Sequence, residues 1–430
     1  MAEIESLSAE YQLNSAELVA DPYTAFGRIR EEGAVARGRL ADGSPVWIVT
    51  RHGDVTAALE DPRFVSNPLS LPGAAADTHA ESLRKYGISK HLVPYLAGNL
   101  IHTDPPDHTR LRKLVTRAFS ARQVTALLPR IRAITGELLD ALPGGADAGA
   151  DAGAVDLIEH FAYPLPITII CEMLGVPAQD RPKWRAWSQD YTSMSMIRMN
   201  ALLAKMSEYL RDLIERRRAE PGSDVLTHLV QARDDSDRLS DTELITMVLT
   251  LMIAGHETTA HLIGNGVLAL LTHPDQLALL RADPALAPAA VQELLRWCSP
   301  VVTAKLRYAA QAMTLDGTPI GPGDAVLTVL GSANHDPRRF TEPEALDITR
   351  SLVAKGAAHL AYSHGPHYCL GATLANQETE VALTALFARY PDLALAAPPG
   401  GLEWRTIPGT RQLVRLPVRL GRDGKPGRDD

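Results

Sequence analysis

The chain has 430 residues and a mass of 46.5 kDa, is 45% hydrophobic but only 5% aromatic, and carries a formal net charge of −8. That apolar content excludes global disorder, and a pI near 6.0 excludes a general nucleic-acid binder while leaving room for a local basic patch that meets an acidic partner. Three widely spaced cysteines, Cys171, Cys298 and Cys369, exclude a disulfide framework or a CxxC metal site and point to a reducing compartment.

Abundant Leu and Ala with few aromatics favour helix over sheet. No internal repeat is visible. Residues 1–20 are acidic and polar, show no signal-peptide pattern, and are expected to be flexible. The most apolar stretch, 244–254, is too short for the ~20 residues of a membrane helix and contains Thr246 and Thr250. A cytoplasmic protein without membrane contact is expected.

In chain order, a helix is predicted over 22–31, then a hairpin, 34–39 and 45–50, around the turn Ala41-Asp42-Gly43-Ser44. Residues 66–98 hold scattered Pro and Gly and read as mobile and irregular. The pattern is helical over 106–139, and 110–132 carries Arg110, Arg112, Lys113, Arg117, Arg122, Arg130 and Arg132 with no acid between 110 and 132. That run is either a solvated helix face or a basic patch. The low-complexity segment 141–154 reads as a flexible surface loop. Helices then dominate over 155–300. A β-rich insert with the turn Leu315-Asp316-Gly317-Thr318 follows at 303–330, a last helix at 370–390, and a disordered tail at 421–430.

Ser240-Asp241-Thr242-Glu243 is a capping box, and the helical pattern then continues to His273, where Pro274 stops it. Such a helix is ~50 Å long and must cross the molecule. Its middle, Ala254-Gly255-His256-Glu257-Thr258-Thr259, is polar and poor in helix formers, and a defect at the centre of a buried helix marks a site.

Three stretches carry chemistry-bearing residues. Tyr362-Ser363-His364-Gly365-Pro366-His367-Tyr368-Cys369-Leu370-Gly371 is a Gly/Pro-constrained loop leading into an apolar helix. A thiolate at Cys369 there meets backbone N–H donors and the positive end of a helix dipole, which lower its pKa. Gly365 and Gly371 remove side chains where something bulky and flat could approach. This setting suits axial ligation of a heme; an ordinary core cysteine is the alternative, and Cys171 and Cys298, inside helical patterns, are assigned to core. Glu293-Leu294-Leu295-Arg296 puts a carboxylate and a guanidinium on one helix face. Asp104-Pro105-Pro106-Asp107-His108-Thr109-Arg110-Leu111-Arg112 sets His108 and Arg112 four apart, suited to a carboxylate-bearing ligand or to a basic surface.

Together these pieces resemble the bacterial, actinobacterial-type cytochromes P450. DPPDHTRLR is similar to the family's C-helix motif, AGHETT to its oxygen-binding helix and ELLR to its ExxR motif. Residues 333–340 (ANHDPRRF) resemble the meander and YSHGPHYCLG the cysteine loop, so the likeness spans about 20–418. One departure is Tyr362, where the family usually has Phe; the aromatic ring is kept, and little effect is expected beyond a tuning of the iron's potential by the added hydroxyl.

The resemblance implies a mainly α fold with small β-sheets, a single catalytic domain over 1–430 forming a triangular, helix-rich prism, and a long helix over the heme. It implies a soluble heme-thiolate monooxygenase with heme b, O2 as co-substrate, and NAD(P)H used only through redox partners. Cys369 is then the iron ligand. His367, Arg307, His108 and Arg112 partner the heme propionates, with Ala254 and Gly371 also against the cofactor. Glu257 and Thr258 form an acid–alcohol pair that delivers protons beside dioxygen, and Gly255 leaves room for oxygen. His256 and Thr259 are structural. Glu293 and Arg296 form a structural pair joined by the meander near Arg339. Thr250, Ile253 and Ala254 of the long helix and Val301, Val302 and Thr303 after ExxR line the substrate pocket. The 66–98 segment and a roof with Met194, Met196, Met199 and Leu203 complete it, unless those methionines are a plain core stripe.

The expected substrate is bulky and apolar, such as a macrolide, polyketide or terpenoid, and the expected reaction is hydroxylation or epoxidation. No flavin, nicotinamide or ferredoxin motif is present, so a ferredoxin and its reductase supply electrons to a monomeric enzyme, with the 110–122 run as a docking patch. The alternatives are a heme-thiolate peroxygenase, an oxidative coupling enzyme, or a non-catalytic heme-binding protein.

Overall fold

The computed structural model describes residues 10–74, 78–85, 87–119, 121–143, 154–192, 196–234, 237–352 and 359–421. The chain divides into two compact units. The first comprises Met1–Phe64, Arg130–Leu165 and Thr258–Asp430, the second Val65–Pro129 and Pro166–Glu257.

A six-stranded sheet organises the first unit, in the order Tyr11–Gln12, Val35–Arg39, Pro45–Val49, Ala325–Thr328, Arg307–Ala309, Phe64–Val65. The predicted hairpin is there, with Val35 opposite Val49 and Arg39 opposite Pro45. Alternation along it splits the core: Val46 and Ile48 pack with Leu13, Phe26 and Ile29, whereas Trp47 and Val49 face Val55, Leu59 and Leu330. Residues 10–20, expected to be flexible, instead form the parallel strand Tyr11–Gln12 and the helix Ala16–Ala20, whose Leu18 is buried. The turn Leu315-Asp316-Gly317-Thr318 closes the strands Met313–Leu315 and Thr318–Ile320 with φ of 44° at Asp316 and 75° at Gly317, as a two-residue hairpin loop needs. The last helix, Ala372–Arg389, packs on Ala287–Cys298.

The second unit is helical. Residues 66–98, expected to be irregular, carry the helices Thr78–Lys85 and Val93–Ala97. Pro and Gly between them mask these short elements in sequence; what holds them is distant, since Ala80, Ile88, Leu92 and Val93 pack on Met199 and Leu203. Met199 and Leu203 are thus core stripe residues. Met194, most of 141–154 and nearly all of 421–430 fall outside the described residues.

The long helix runs Asp241–Thr272, and the unit boundary falls between its Glu257 and Thr258. Its capping box forms: the Ser240 amide and hydroxyl donate to Glu243 at 2.8 and 2.9 Å, and the Glu243 amide donates back to Ser240 Oγ. Burial opposes ionisation of Glu243, but the Ser240 amide and the paired Arg110 guanidinium hold its pKa below the ordinary value. No helix among the described residues is long and apolar enough to cross a membrane.

Candidate active site

Cys369 follows the 3-10 turn Gly365–His367 and precedes the helix Ala372–Arg389 in the first unit. Its amide donates to the Tyr362 carbonyl at 2.9 Å and the Tyr368 amide to the Gly365 carbonyl at 3.0 Å, so the loop is closed by its own backbone. Ser363 and Gly365 both lie in the left-handed region, at φ 62° and 68°. For Ser363 that is a strained conformation, of order 1–3 kcal/mol. A Cβ at Gly365 would lie 2.9 Å from the carbonyl oxygen of Leu59, at the end of helix His52–Glu60. The glycine therefore admits a neighbouring backbone, which corrects the expectation that it clears space for a flat ligand. At Gly371 a Cβ would make only an ordinary contact, 4.0 Å from Cys369 Sγ.

The three cysteines separate by environment. Cys171 and Cys298 are 0% and 8% exposed, and burial pushes both thiols up to about 12, as befits core residues. Cys369 keeps part of its surface. Its loop is fastened on two sides: Tyr362 Oη donates to Asn376 Oδ1 at 2.7 Å, and His364 Nε2 meets Glu60 Oε1 at 2.7 Å. Burial, then the nearby Cys369, raise the Tyr362 hydroxyl well above its usual range, so it stays a neutral donor. His367 is half-buried in the same turn, and Arg307 is buried at the start of strand Arg307–Ala309. A partly exposed thiol at a helix start, a glycine beside the sulfur, and an arginine and a histidine in the same unit suit heme: soft sulfur for iron, N–H donors for carboxylates.

Glu293 and Arg296 are both 0% exposed and pair bidentately, Nε to Oε2 at 2.8 Å and Nη2 to Oε1 at 2.7 Å. The other three guanidinium N–H groups reach the carbonyls of Asn334, Pro343 and Ala345 at 3.0, 2.7 and 3.0 Å. The arginine that joins this pair is Arg350, whose Nε donates to Glu293 at 3.2 Å, not Arg339. Arg339 is exposed, over the Phe340 ring. Sequence reasoning missed Arg350 because it lies far along the chain, with no spacing signal. The knot pins the meander, and the meander's Asn334 Oδ1 accepts the Leu360 amide at 2.6 Å, just before the cysteine loop.

In the second unit, His108 is buried and Arg112 half-buried on helix Asp107–Ala118, four residues apart as predicted. Asp104, ahead of that helix, accepts from the Ser66 and Asn67 amides at 2.8 Å each, which fixes the helix entrance. Of the basic run, Arg110 pairs with Glu243 and Arg130 with Glu137, while Lys113 and Arg117 are exposed at i, i+4.

Along the long helix, 244–249 and 260–267 are buried, but Thr250, Glu257 and Thr258 are only half-buried and Ala254 is exposed. These positions, i, i+4, i+7 and i+8, share one face. The exposed Ala254 lies between two buried stretches of this helix. Thr250 Oγ1 donates back to the Thr246 carbonyl at 2.7 Å. His256 points away from that face: its Nδ1 contacts the Met252 carbonyl, which can only accept, so Nδ1 carries the hydrogen and Nε2 accepts from Ser188. Burial lowers this imidazole to about 4, consistent with that neutral form. Ile253 lines a small cavity with Trp184, Ser188 and His256. Among the residues expected to line a substrate pocket, Val302 is instead core, at 0% exposure among Leu13, Phe26 and Ile48. Its neighbours Val301 and Thr303 are half-buried.

The family model for cytochrome P450 matches residues 184–285 and 281–394. Cytochrome P450 107B1 of Saccharopolyspora erythraea is 45% identical over 402 residues, 93% of this chain and 95% of that protein. The 6-deoxyerythronolide B hydroxylase of the same organism is 40% identical over 413 residues, covering 95% and 98%. The solved structure of the tirandamycin C-bound P450 monooxygenase TamI matches with a TM-score of 0.84 at 41% identity, covering 96% of this chain and all of that one (100%). With a mainly helical fold, small sheets and a cysteine loop suited to heme, the chain belongs to the cytochrome P450 family and is a heme-dependent monooxygenase.

Proposed function

We propose that this monooxygenase hydroxylates or epoxidises a bulky, largely apolar secondary metabolite of polyketide or macrolide type, with Cys369 as the iron ligand. The observation that carries the assignment of Cys369 is its partial exposure in a loop closed on itself, against two core cysteines. Support for the substrate class comes from the relatives, one named for 6-deoxyerythronolide B and one bound to tirandamycin C.

When bound, heme supplies activation of O2 and transfer of one oxygen atom to the substrate. Arg307, His367, His108 and Arg112 hold its carboxylates by charge-assisted hydrogen bonds, and Gly371 keeps the sulfur's flank clear, with Ala254 facing the cofactor. The Thr258 hydroxyl holds a proton at Oγ1 and the Glu257 carboxylate replaces it from solvent, two deliveries per turnover. Thr250, Ile253, Val301 and Thr303 line the substrate's side. A ferredoxin and its reductase deliver electrons to a cytoplasmic monomer, and the exposed Lys113 and Arg117 meet the acidic ferredoxin.

The test is the absorption spectrum of the dithionite-reduced protein with and without carbon monoxide. A strongly red-shifted Soret band, lost in Cys369→Ala, is expected; an unshifted, histidine-like band would refute the ligand assignment.

A further inference from the structure

Leu370 and Gly371 separate Cys369 from the helix Ala372–Arg389, and the joint they form has no side-chain cap. The N-cap is Gly371, which has no side chain to reach back to the first free amides. The first main-chain bond runs from the Ala375 amide to the Gly371 carbonyl at 2.9 Å. Glycine at this point also leaves the backbone more freedom than another residue would. The start of the helix therefore does not by itself fix how the cysteine loop leans on it.

Tyr362 supplies a tie from the far end of the loop. Its carbonyl accepts the Cys369 amide at 2.9 Å, which closes residues 362–369 on themselves. Its ring meets the Tyr368 ring edge-on, with 6.2 Å between centroids and 71° between planes. Its hydroxyl crosses to the helix and donates to Asn376 Oδ1 at 2.7 Å. One residue thus engages the cysteine's amide, packs on the residue before the cysteine, and is bonded to the helix after it. Asn376 lies in the second turn of that helix, where asparagine is a poor helix former because its side chain competes for main-chain groups. Here that side chain is spent on Tyr362 instead.

The tie bears on the sulfur. Hydrogen bonds to a ligating sulfur draw charge from the metal and raise its potential. A loop held against its helix keeps further donors, water included, from gathering at the sulfur. A loop free to lean admits them.

We propose that Asn376 is a positioning residue for the iron ligand, acting through its bond to Tyr362 to hold the cysteine loop against the helix Ala372–Arg389 and keep the iron's reduction potential low. This rests on the reading of Cys369 as the iron ligand.

The test compares purified heme-loaded wild type with Tyr362→Phe, Asn376→Leu and the double variant. Phenylalanine keeps the ring, and leucine suits a half-buried helical position, so each variant is expected to fold. Redox titration reads the potential of the heme iron, and urea unfolding reads stability. Loss of one hydrogen bond predicts that each single variant is about fivefold more reduced than wild type at a fixed poise. The double variant should match the single ones, because both substitutions remove the same bond. Single variants whose potential is unmoved or lower overturn the proposal, and a loss of stability alone would leave the bond a fastening and nothing more. Shifts that add in the double variant overturn it as well, since the two residues would then act separately. In these cases the wild type still shows the red-shifted carbon monoxide band. Absence of that band overturns the ligand assignment and this proposal together.

Discussion

In the Glu293–Arg296 knot all five guanidinium N–H groups are used and both partners are wholly buried. In the middle of the long helix, by contrast, a stripe from Thr250 to Thr258 loses the burial that its flanking turns have. Both regions hold polar residues inside a large protein, yet only one is wholly buried. Saturation fixes geometry, here the meander and through Asn334 the entrance to the cysteine loop. Incomplete packing leaves room for chemistry. The two regions thus differ in burial, although both read as motif letters in the sequence.

Breaking the knot should have the largest effect. Arg296→Leu strands the Glu293 carboxylate in a fully buried place, and a loss of about 3–5 kcal/mol of stability is expected. Urea unfolding would read it; a variant within ~1 kcal/mol of wild type would mean that Arg350 alone satisfies Glu293. The second prediction concerns the back of the long helix. Folded His256 stays neutral down to about pH 4, whereas in the unfolded chain it protonates near 6.5. The unfolded state therefore binds more protons inside that window. Stability should be full above about 6.5 and fall as pH drops towards 4, by up to about 3 kcal/mol. His256→Gln should remove about one proton from that dependence, measurable by unfolding at a series of pH values. The buried His359, also lowered to about 4 by desolvation, keeps its own contribution.

Thr258→Ala addresses the open face. Product formation should fall about a hundredfold with substrate affinity and melting temperature almost unchanged, as for loss of a proton-delivering group. A fall in melting temperature comparable to that of Arg296→Leu would erase the distinction between the two regions. The smallest effect is expected at the surface. Lys113→Glu with Arg117→Glu should slow electron transfer from an acidic ferredoxin about tenfold at low salt, an effect that fades as ionic strength rises. Equal rates in wild type and double variant would remove these residues from the docking patch.

The parts legible in the sequence are those set by local rules. The hairpin, the Asp316-Gly317 turn, the capping box at Ser240 and Glu243, and the helix it starts all follow from period, turn chemistry and capping. The loop around Cys369 and the helix after it are legible for the same reason: the glycines, proline and helix are contiguous. What escaped depended on distant partners. Arg350 acquires a role only when the meander folds back on Glu293. Val302 looks like any pocket valine until Leu13, Phe26 and Ile48 surround it. The helices Thr78–Lys85 and Val93–Ala97 owe their place to Met199 and Leu203, more than a hundred residues away.

Gly365 has a consequence for how the protein tolerates change. The cysteine loop rests on the peptide carbonyl of Leu59, an atom that every amino acid at position 59 supplies. Side chains in the helix beneath can drift over generations without moving that support. A single methyl group added at position 365 would lift the loop away from it. At this point the loop is keyed to main chain, beside the side-chain ties of Tyr362 and His364, and here its tolerance narrows to one missing carbon.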